Sequence, residues 1–282
     1  MFDSKEIMRR QNEEKMLDIQ ASAHLNFNRA DYWNLASILL CFISIFLIFI
    51  PSTLSSYLLY GIPCLHQSLI LFCSYCSKKA QKNAAFLRNF FDDYVLETSN
   101  QPYSTVDLKS AKEMAHKDSK NAKVKDLKTH TGSTTPPGIK DWYVFKHDYD
   151  EIQAQIECQK QNVWWDKKFK NKRFLATFAF IAFLFIFYFY VYKFKDPFFI
   201  FFNTIALLEK SYELIKDAIQ YNSLSFEIDG QLKCIENDPT EKNLQVLKEN
   251  IQKRRFINTI GWNSIHKILA NHFTEVCSYM NE

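Results

Sequence analysis

The sequence predicts an all-α membrane protein: four transmembrane helices in two hairpins, with helical cytoplasmic N-terminal, central and C-terminal segments. Three observations carry that class. Apolar residues are gathered into four blocks rather than spread along the chain. Glycine is scarce, 5 of 282 residues against roughly 7% in ordinary chains, which disfavours glycine-rich nucleotide folds and turn-rich β proteins but not long helices. Lysine collects on the flanks of the blocks. The mean hydropathy of −0.24 is therefore an average over two unlike populations, apolar helices and a lysine-rich body. The formal charge of +4, from 35 basic and 31 acidic residues, reflects those flanks.

Residues 1–34 form a cytoplasmic N-terminal segment. They are mostly charged or polar, so no secretory signal is expected there. Met16, Ile19, Ala23, Phe27 and Ala30 make one stripe at helical spacing, predicting an amphipathic helix over 5–30. The first hairpin spans 35–76. Its first block, Leu35 to Ile50, is uncharged and ends at Pro51. Pro51-Ser52-Thr53 is short enough only for a tight turn, and the second uncharged block runs from Leu54 to Cys76. With flanking Tyr32 and Trp33 as an interfacial belt, these blocks approach the roughly 20 residues that a bilayer core of about 30 Å requires. Gly61, Pro63, His66 and Gln67 predict a bent second helix with polar groups that two packings could accommodate.

The central cytoplasmic region covers 77–173. Phe86 to Leu96 reads as a short helix carrying Asp92 and Asp93. Residues 104–138 hold seven lysines among Ser, Thr, Ala and Asp and end in a Gly- and Pro-rich turn. They read as a solvated, partly mobile segment, and with no interleaved aromatics they do not predict nucleic-acid binding. After Lys140-Asp141-Trp142-Tyr143, a helix from about Asp148 is expected to run unbroken into the third block, Phe174 to Tyr192, which is apolar on all faces. Lys193 to Asp196 makes the second turn. The fourth block, Pro197 to Leu208, offers only about 18 Å of apolar helix, and the hairpin is taken to 174–212. Cytoplasmic helices then fill 213–282: Asn237 to Glu241 ends one and caps the next, whose apolar face is Leu244, Leu247 and Ile251. A final amphipathic helix carries Ile265, Leu269, His272, Val276 and Met280.

Basic flanks remain in the cytoplasm. Arg9, Arg10 and Arg29, then Lys78, Lys79 and Lys82, then Lys167 to Arg173 all border the blocks, which puts both termini and the central region inside. The seven cysteines predict no disulfide framework on that side, and Cys73-x-x-Cys76 lacks a second pair that would make a metal site. No phosphate-binding loop, dinucleotide fingerprint, nucleophile elbow or zinc-protease helix is present. Asp92-Asp93 has no third carboxylate at a supporting spacing. The sequence therefore predicts neither an enzyme nor a bound metal.

Two groups of candidate site residues remain. Gln159, Asn162 and Asp166 lie at i, i+3, i+7 on one face, beside Trp165 on the adjacent face; they either cross-link neighbouring helices or belong to a gate or ligand site. Asn203, Thr204 and Glu209 are the pore-lining candidates, because polar groups at membrane depth usually face a bundle interior or water. For Glu209 the alternative is simply to end the apolar span.

The order of several motifs carries a family resemblance: Arg10-Gln11 with Leu17, Gln20 and Ala30, the first hairpin, Phe91-Asp92-x-x-Val95-Leu96, Asp141-Trp142-Tyr143, and Cys158-Gln159-x-x-Asn162-x-Trp164-Trp165-Asp166. Together, over nearly the whole chain, they resemble the S-4TM family of pore-forming effectors. Lys160 and Phe169-Lys170 depart from it, where the family more usually has an arginine and a Leu-Arg pair. The resemblance implies an inner-membrane effector of bacterial anti-phage systems, a homo-oligomer working beside a nucleotidyltransferase that makes cyclic oligonucleotide messengers. The messenger, or a change in a partner, would open or assemble the bundle and kill the infected cell. Arg10, Gln11, Asp141, Trp142, Tyr143, Gln159, Asn162, Trp165 and Asp166 are the ligand or gate candidates, and Arg9, Lys140 and Lys160 could add charge for an anionic messenger. The alternatives are a non-conducting scaffold that recruits a partner through its cytoplasmic helices, and a membrane enzyme or transporter; an inverted repeat would support a transporter, whereas the two hairpins run in the same orientation.

Overall fold

A computed structural model describes residues 3–47, 55–96, 105–131, 134, 138–192 and 197–258. There the chain is all-helical: α1 (Ser4–Gln11), α2 (Glu14–Leu47), α3 (Ser56–Val95), α4 (Thr105–Ser119), α5 (Ala122–Thr129), α6 (Glu151–Tyr192), α7 (Pro197–Asn237) and α8 (Glu241–Arg255). The expected final helix with His272 lies outside the described residues. Among the described residues no helix is long and apolar enough to cross a membrane. The all-helical class is found, but the four expected spans are not found as such. Ile48 to Ile50, and the side chains of Phe174, Ala176, Phe180 and Tyr188, belong to the apolar blocks but lie outside that description.

Three local expectations are corrected. The single N-terminal helix is two. α1 begins at Asp3, whose carboxylate caps the Glu6 N–H, and stops at Gln11. Asn12 breaks the helix because its side chain is committed elsewhere: its Nδ2 donates to the Asp141 carboxylate at 2.7 Å, and its Oδ1 accepts from the Asp141 N–H at 3.1 Å. Phe86 to Leu96 is not a separate short helix but the end of the 40-residue α3. No breaker separates it from the apolar half, and Ala80, Ala84, Ala85 and Leu87 bury a continuous face.

The lysine-rich segment, expected as solvated and mobile, contains α4 and α5. Small apolar side chains, Ala111, Ala115 and Val124, let these helices lie close on their neighbours. A buried carboxylate fixes α4 to α2: Asp118 accepts from Ser22 Oγ at 2.6 Å, Asn26 Nδ2 at 3.1 Å and Arg29 at 2.9 Å. Asn121 caps α5, and Lys128 pairs with Asp18 of α2. The lysines ride the outer face: Lys109, Lys112, Lys117, Lys123 and Lys125 are exposed.

α2 and α3 pack against each other at length, and α7 contacts α2, α3, α6 and α8. The long helices meet in an apolar cluster of Cys41, Ile70, Leu184, Ala206 and Leu207, one or two residues from each. Polar side chains tie that level together. His66 Nε2 lies 2.9 Å from the Leu40 carbonyl and 3.1 Å from Ser44 Oγ, and the Ala206 N–H donates to Gln67 Oε1 at 3.0 Å. Pro63 stands inside α3 just before these residues, where it removes one helix donor. At the other end, the body's largest core joins Ile7, Leu87, Phe91, Val95, Tyr143, Ala154 and Cys158, and a second core closes α6, α7 and α8 through Ile156, Ile228, Leu247 and Ile251.

Candidate functional site

The motif residues converge on one buried carboxylate. Asp92, near the end of α3, is 3% exposed. Tyr143, fully buried on the loop before α6, donates its hydroxyl to Asp92 Oδ1 at 2.8 Å. Arg255 at the end of α8 pairs with Oδ2 at 2.5 Å, and Arg88, one turn earlier on α3, stands 3.6 Å from Oδ1. Asn162 on α6 donates to the Tyr143 hydroxyl at 3.0 Å and to Gln159 Oε1 at 3.3 Å, while its own Oδ1 accepts from Arg88 at 3.3 Å. The Arg88 guanidinium also lies over the Trp142 ring at 4.4 Å and the Phe91 ring at 5.1 Å, which supports its charge on two aromatic faces.

Gln11 completes the set from the N-terminal helix. Its amide pairs with both backbone groups of Tyr143, accepting from the N–H at 2.8 Å and donating to the carbonyl at 3.0 Å. The turn that presents Tyr143 starts at Asp141, the one non-glycine residue with positive φ (50°) among the described residues. Asn12 grips Asp141 at both its backbone and its side chain, which fits the tolerance of aspartate for that conformation.

The electrostatics follow from the contacts. Burial pushes the Asp92 carboxyl up, but the two guanidiniums and the hydrogen bonds from Arg255 and Tyr143 outweigh it and hold the group below the usual carboxylate range. Burial and the neighbouring Asp92 charge push the Tyr143 phenol well up, so it remains a donor. Cys158 beneath them is likewise pushed up by burial, a direction that disfavours the thiolate. What this arrangement does chemically is hold five segments, α1, α3, the 141–143 turn, α6 and α8, in fixed register. It presents no nucleophile to an open cleft.

Of the expected site residues, Gln11, Asp141, Trp142, Tyr143, Gln159 and Asn162 come together. Arg10 does not join them: it pairs with Glu6 at 2.8 Å, donates to the Tyr94 carbonyl at 3.2 Å and lies over the Tyr94 ring. Lys160 is held by Glu157 at 3.0 Å and Glu236 at 3.5 Å. The side chains of Trp165, Asp166 and Asn203 lie outside the described residues. Thr204 is buried and donates to the Ile200 carbonyl of its own helix at 2.8 Å, whereas Glu209 is exposed at the rim of a cavity between α3 and α7. Sequence reasoning missed Asn12, Arg88 and Arg255. Arg88 had a readable signal, standing at i−4 from Asp92 on one helix; Arg255 is 163 residues away from Asp92 and had none.

These features define the class coarsely: an all-helical protein of paired long helices, its body held by a buried charge network among the described residues. The chain belongs to the SMODS-associating 4TM effector domain family, whose model matches residues 5–196. It is thus an effector domain associated with SMODS nucleotidyltransferase signalling, and the 4TM of the description points to a membrane location. The match ends where α7 begins, short of the near-complete coverage that the motifs led us to expect. No curated protein and no solved structure matches the chain.

Proposed function

We propose that the chain is a bacterial inner-membrane effector that forms or opens a pore when a nucleotide second messenger appears, killing the infected cell and so blocking phage. The observation that carries this reading is the placement of exposed apolar side chains. Phe46 (70% exposed), Tyr57 (92%), Leu65 (66%), Leu175 (71%), Ile186 (72%) and Phe189 (67%) all lie on the halves of α2, α3 and α6 built from the apolar blocks. Soluble monomers rarely leave contiguous apolar patches beyond a few hundred Å², and lipid is the medium that such a surface fits. The basic flanks of the same helices favour both termini in the cytoplasm.

The polar cross-links at His66 and Gln67, beside Pro63 in α3, support a bundle with two packings, which a messenger could shift only by binding one better than the other. Self-association is expected, since four helices from one chain leave little room for an aqueous path. The purified chain should release dye from liposomes when cyclic oligonucleotides are added and not before. Absence of release under every condition would overturn conduction and leave the non-conducting scaffold. Asn203→Leu separates the two on a folded protein by its effect on activity: a scaffold tolerates the change, whereas a polar pore loses activity.

A further inference from the structure

The groove between α3 and α7 encloses a cavity of about 160 Å³, several times the ~30 Å³ share of one water molecule. Ile70 and Ala206 make its floor apolar, and the exposed Leu71 and Tyr75 stand at its mouth. Two opposite charges among its lining residues are incompletely matched. Lys210 is 2% exposed, yet its Nζ has no hydrogen-bond partner among the described residues. Its nearest carboxylate oxygen, Glu213 Oε1, is 3.6 Å away, and the same carboxylate is shared with Lys78 Nζ, 3.3 Å from Oε2. An ammonium carries three donors and no acceptor, so this one is buried with an ion-pair partner but no hydrogen bond among the described residues. Glu209, next in sequence and exposed on the rim, makes no ion pair among the described residues.

We infer that this cavity binds a phosphoethanolamine lipid headgroup, with Lys210 donating to the phosphate and Glu209 accepting from the primary ammonium. Charge decides against a simple anion. Lys78 and Lys210 already stand against Glu209, Glu213 and, one turn further along α7, Asp217, so a zwitterion fits without adding net charge, whereas an anion adds to the negative charge already present. Hydrogen bonding decides against a trimethylated headgroup, which has no N–H for Glu209. Position decides between a lipid and a free zwitterion: the cavity lies where the uncharged block ends at Cys76 and the lysine flank begins at Lys78, the depth at which a membrane helix meets headgroups. The inference rests on the membrane reading above and adds a ligand class to it.

The test uses the full chain in detergent, with phosphatidylethanolamine, phosphatidylglycerol or phosphatidylcholine added and binding read by native mass spectrometry and thermal shift. Phosphatidylethanolamine should bind about tenfold more tightly than either other lipid, as expected for charge-assisted bonds at both ends. Glu209→Gln should erase its advantage over phosphatidylglycerol, and Lys210→Met should weaken both. Equal binding of the three lipids, or selectivity that survives Glu209→Gln, overturns the inference. Should Lys210→Met fail to fold, the exposed Glu209 variant decides alone. Competition by soluble phosphoethanolamine at matched concentration would overturn the lipid as ligand. Flotation with vesicles separates the two readings: no flotation with any composition defeats the membrane assignment, whereas flotation without headgroup preference defeats only this one.

Discussion

Two regions bury charge, and they do so differently. Around Asp92, both carboxylate oxygens are engaged, by Tyr143 and Arg255, and Arg88 is shared among Asp92, Asn162 and two aromatic faces. Around the α3–α7 cavity, one carboxylate serves two lysines, and Lys210 is left without a hydrogen bond among the described residues. A closed network fixes geometry, because removing any member strands another. An open one has room for a ligand. The closed network suits a positioning role for the motif-rich region, whereas the proposed lipid site is a groove that no motif announced.

The largest test of the comparison is Asp92→Asn. It leaves two largely buried guanidiniums without their counter-charge, which costs about 3–5 kcal/mol. At about 2–4 °C of Tm per kcal/mol for a chain of this size, thermal unfolding should resolve it easily. A loss under about 1 kcal/mol would mean that the network does not fix the body, since intact buried pairs are far more sensitive to losing one member.

A smaller effect is expected from Gln11→Ala. The Tyr143 N–H and carbonyl would lose the Gln11 amide that satisfies both, at about 1–3 kcal/mol for a buried unsatisfied backbone group. Because Gln11 ties α1 to the 141–143 turn and touches no charge, the loss should appear mainly as increased hydrogen exchange in Ser4–Gln11 and at Tyr143. Uniform exchange across the body would show that α1 does not act through that turn.

How far the sequence foretold these regions depends on the range of the forces involved. The long α6 and α7 were legible because their apolar and amphipathic stripes run on without a breaker, and Thr240 as cap of α8 was legible from local chemistry. The break at Asn12 was not, because it is imposed by Asp141, 129 residues on. α4 and α5 were masked by their lysines; their contacts depend on two alanines and a valine, too weak a stripe to see beside seven charges. Motif order marked Gln11, Tyr143, Gln159 and Asn162 as candidates, but nothing in the sequence joined them into one network. Its centre, Asp92, stands in one of the motifs, but the sequence alone gives it no partner, since Arg255 is 163 residues away. The α3–α7 cavity joins two stretches, Ile70 to Lys78 and Ala206 to Glu213, that are far apart in the chain and share no pattern, and Lys210 reads in sequence as an ordinary solvated lysine.

The smallest expected effect separates the two regions by pH. Asp92 has a depressed folded-state pKa, so its contribution is fully present above the unfolded value of 3.8 and is lost as pH falls through the folded value. Asp217, one turn beyond Glu213 on α7, behaves in the opposite sense. Burial, then the Glu213 charge, pushes it up to about 6. The folded state therefore holds the proton more tightly than the unfolded chain does, and its contribution is present below 3.8 and lost as pH rises through about 6. Tm of the detergent-solubilised chain should thus fall on the acid side of 3.8 because of Asp92. Between 3.8 and about 6 the Asp217 contribution should pull Tm down as pH rises. Asp217→Asn should remove that second slope and leave the acid limb in place. Partial exposure of Asp217 screens its charge, which makes this the weakest of the effects and the most discriminating. If the slope survives in Asp217→Asn, the α7 carboxylates are solvated like any surface pair, and the contrast between a closed and an open charge cluster loses its electrostatic basis.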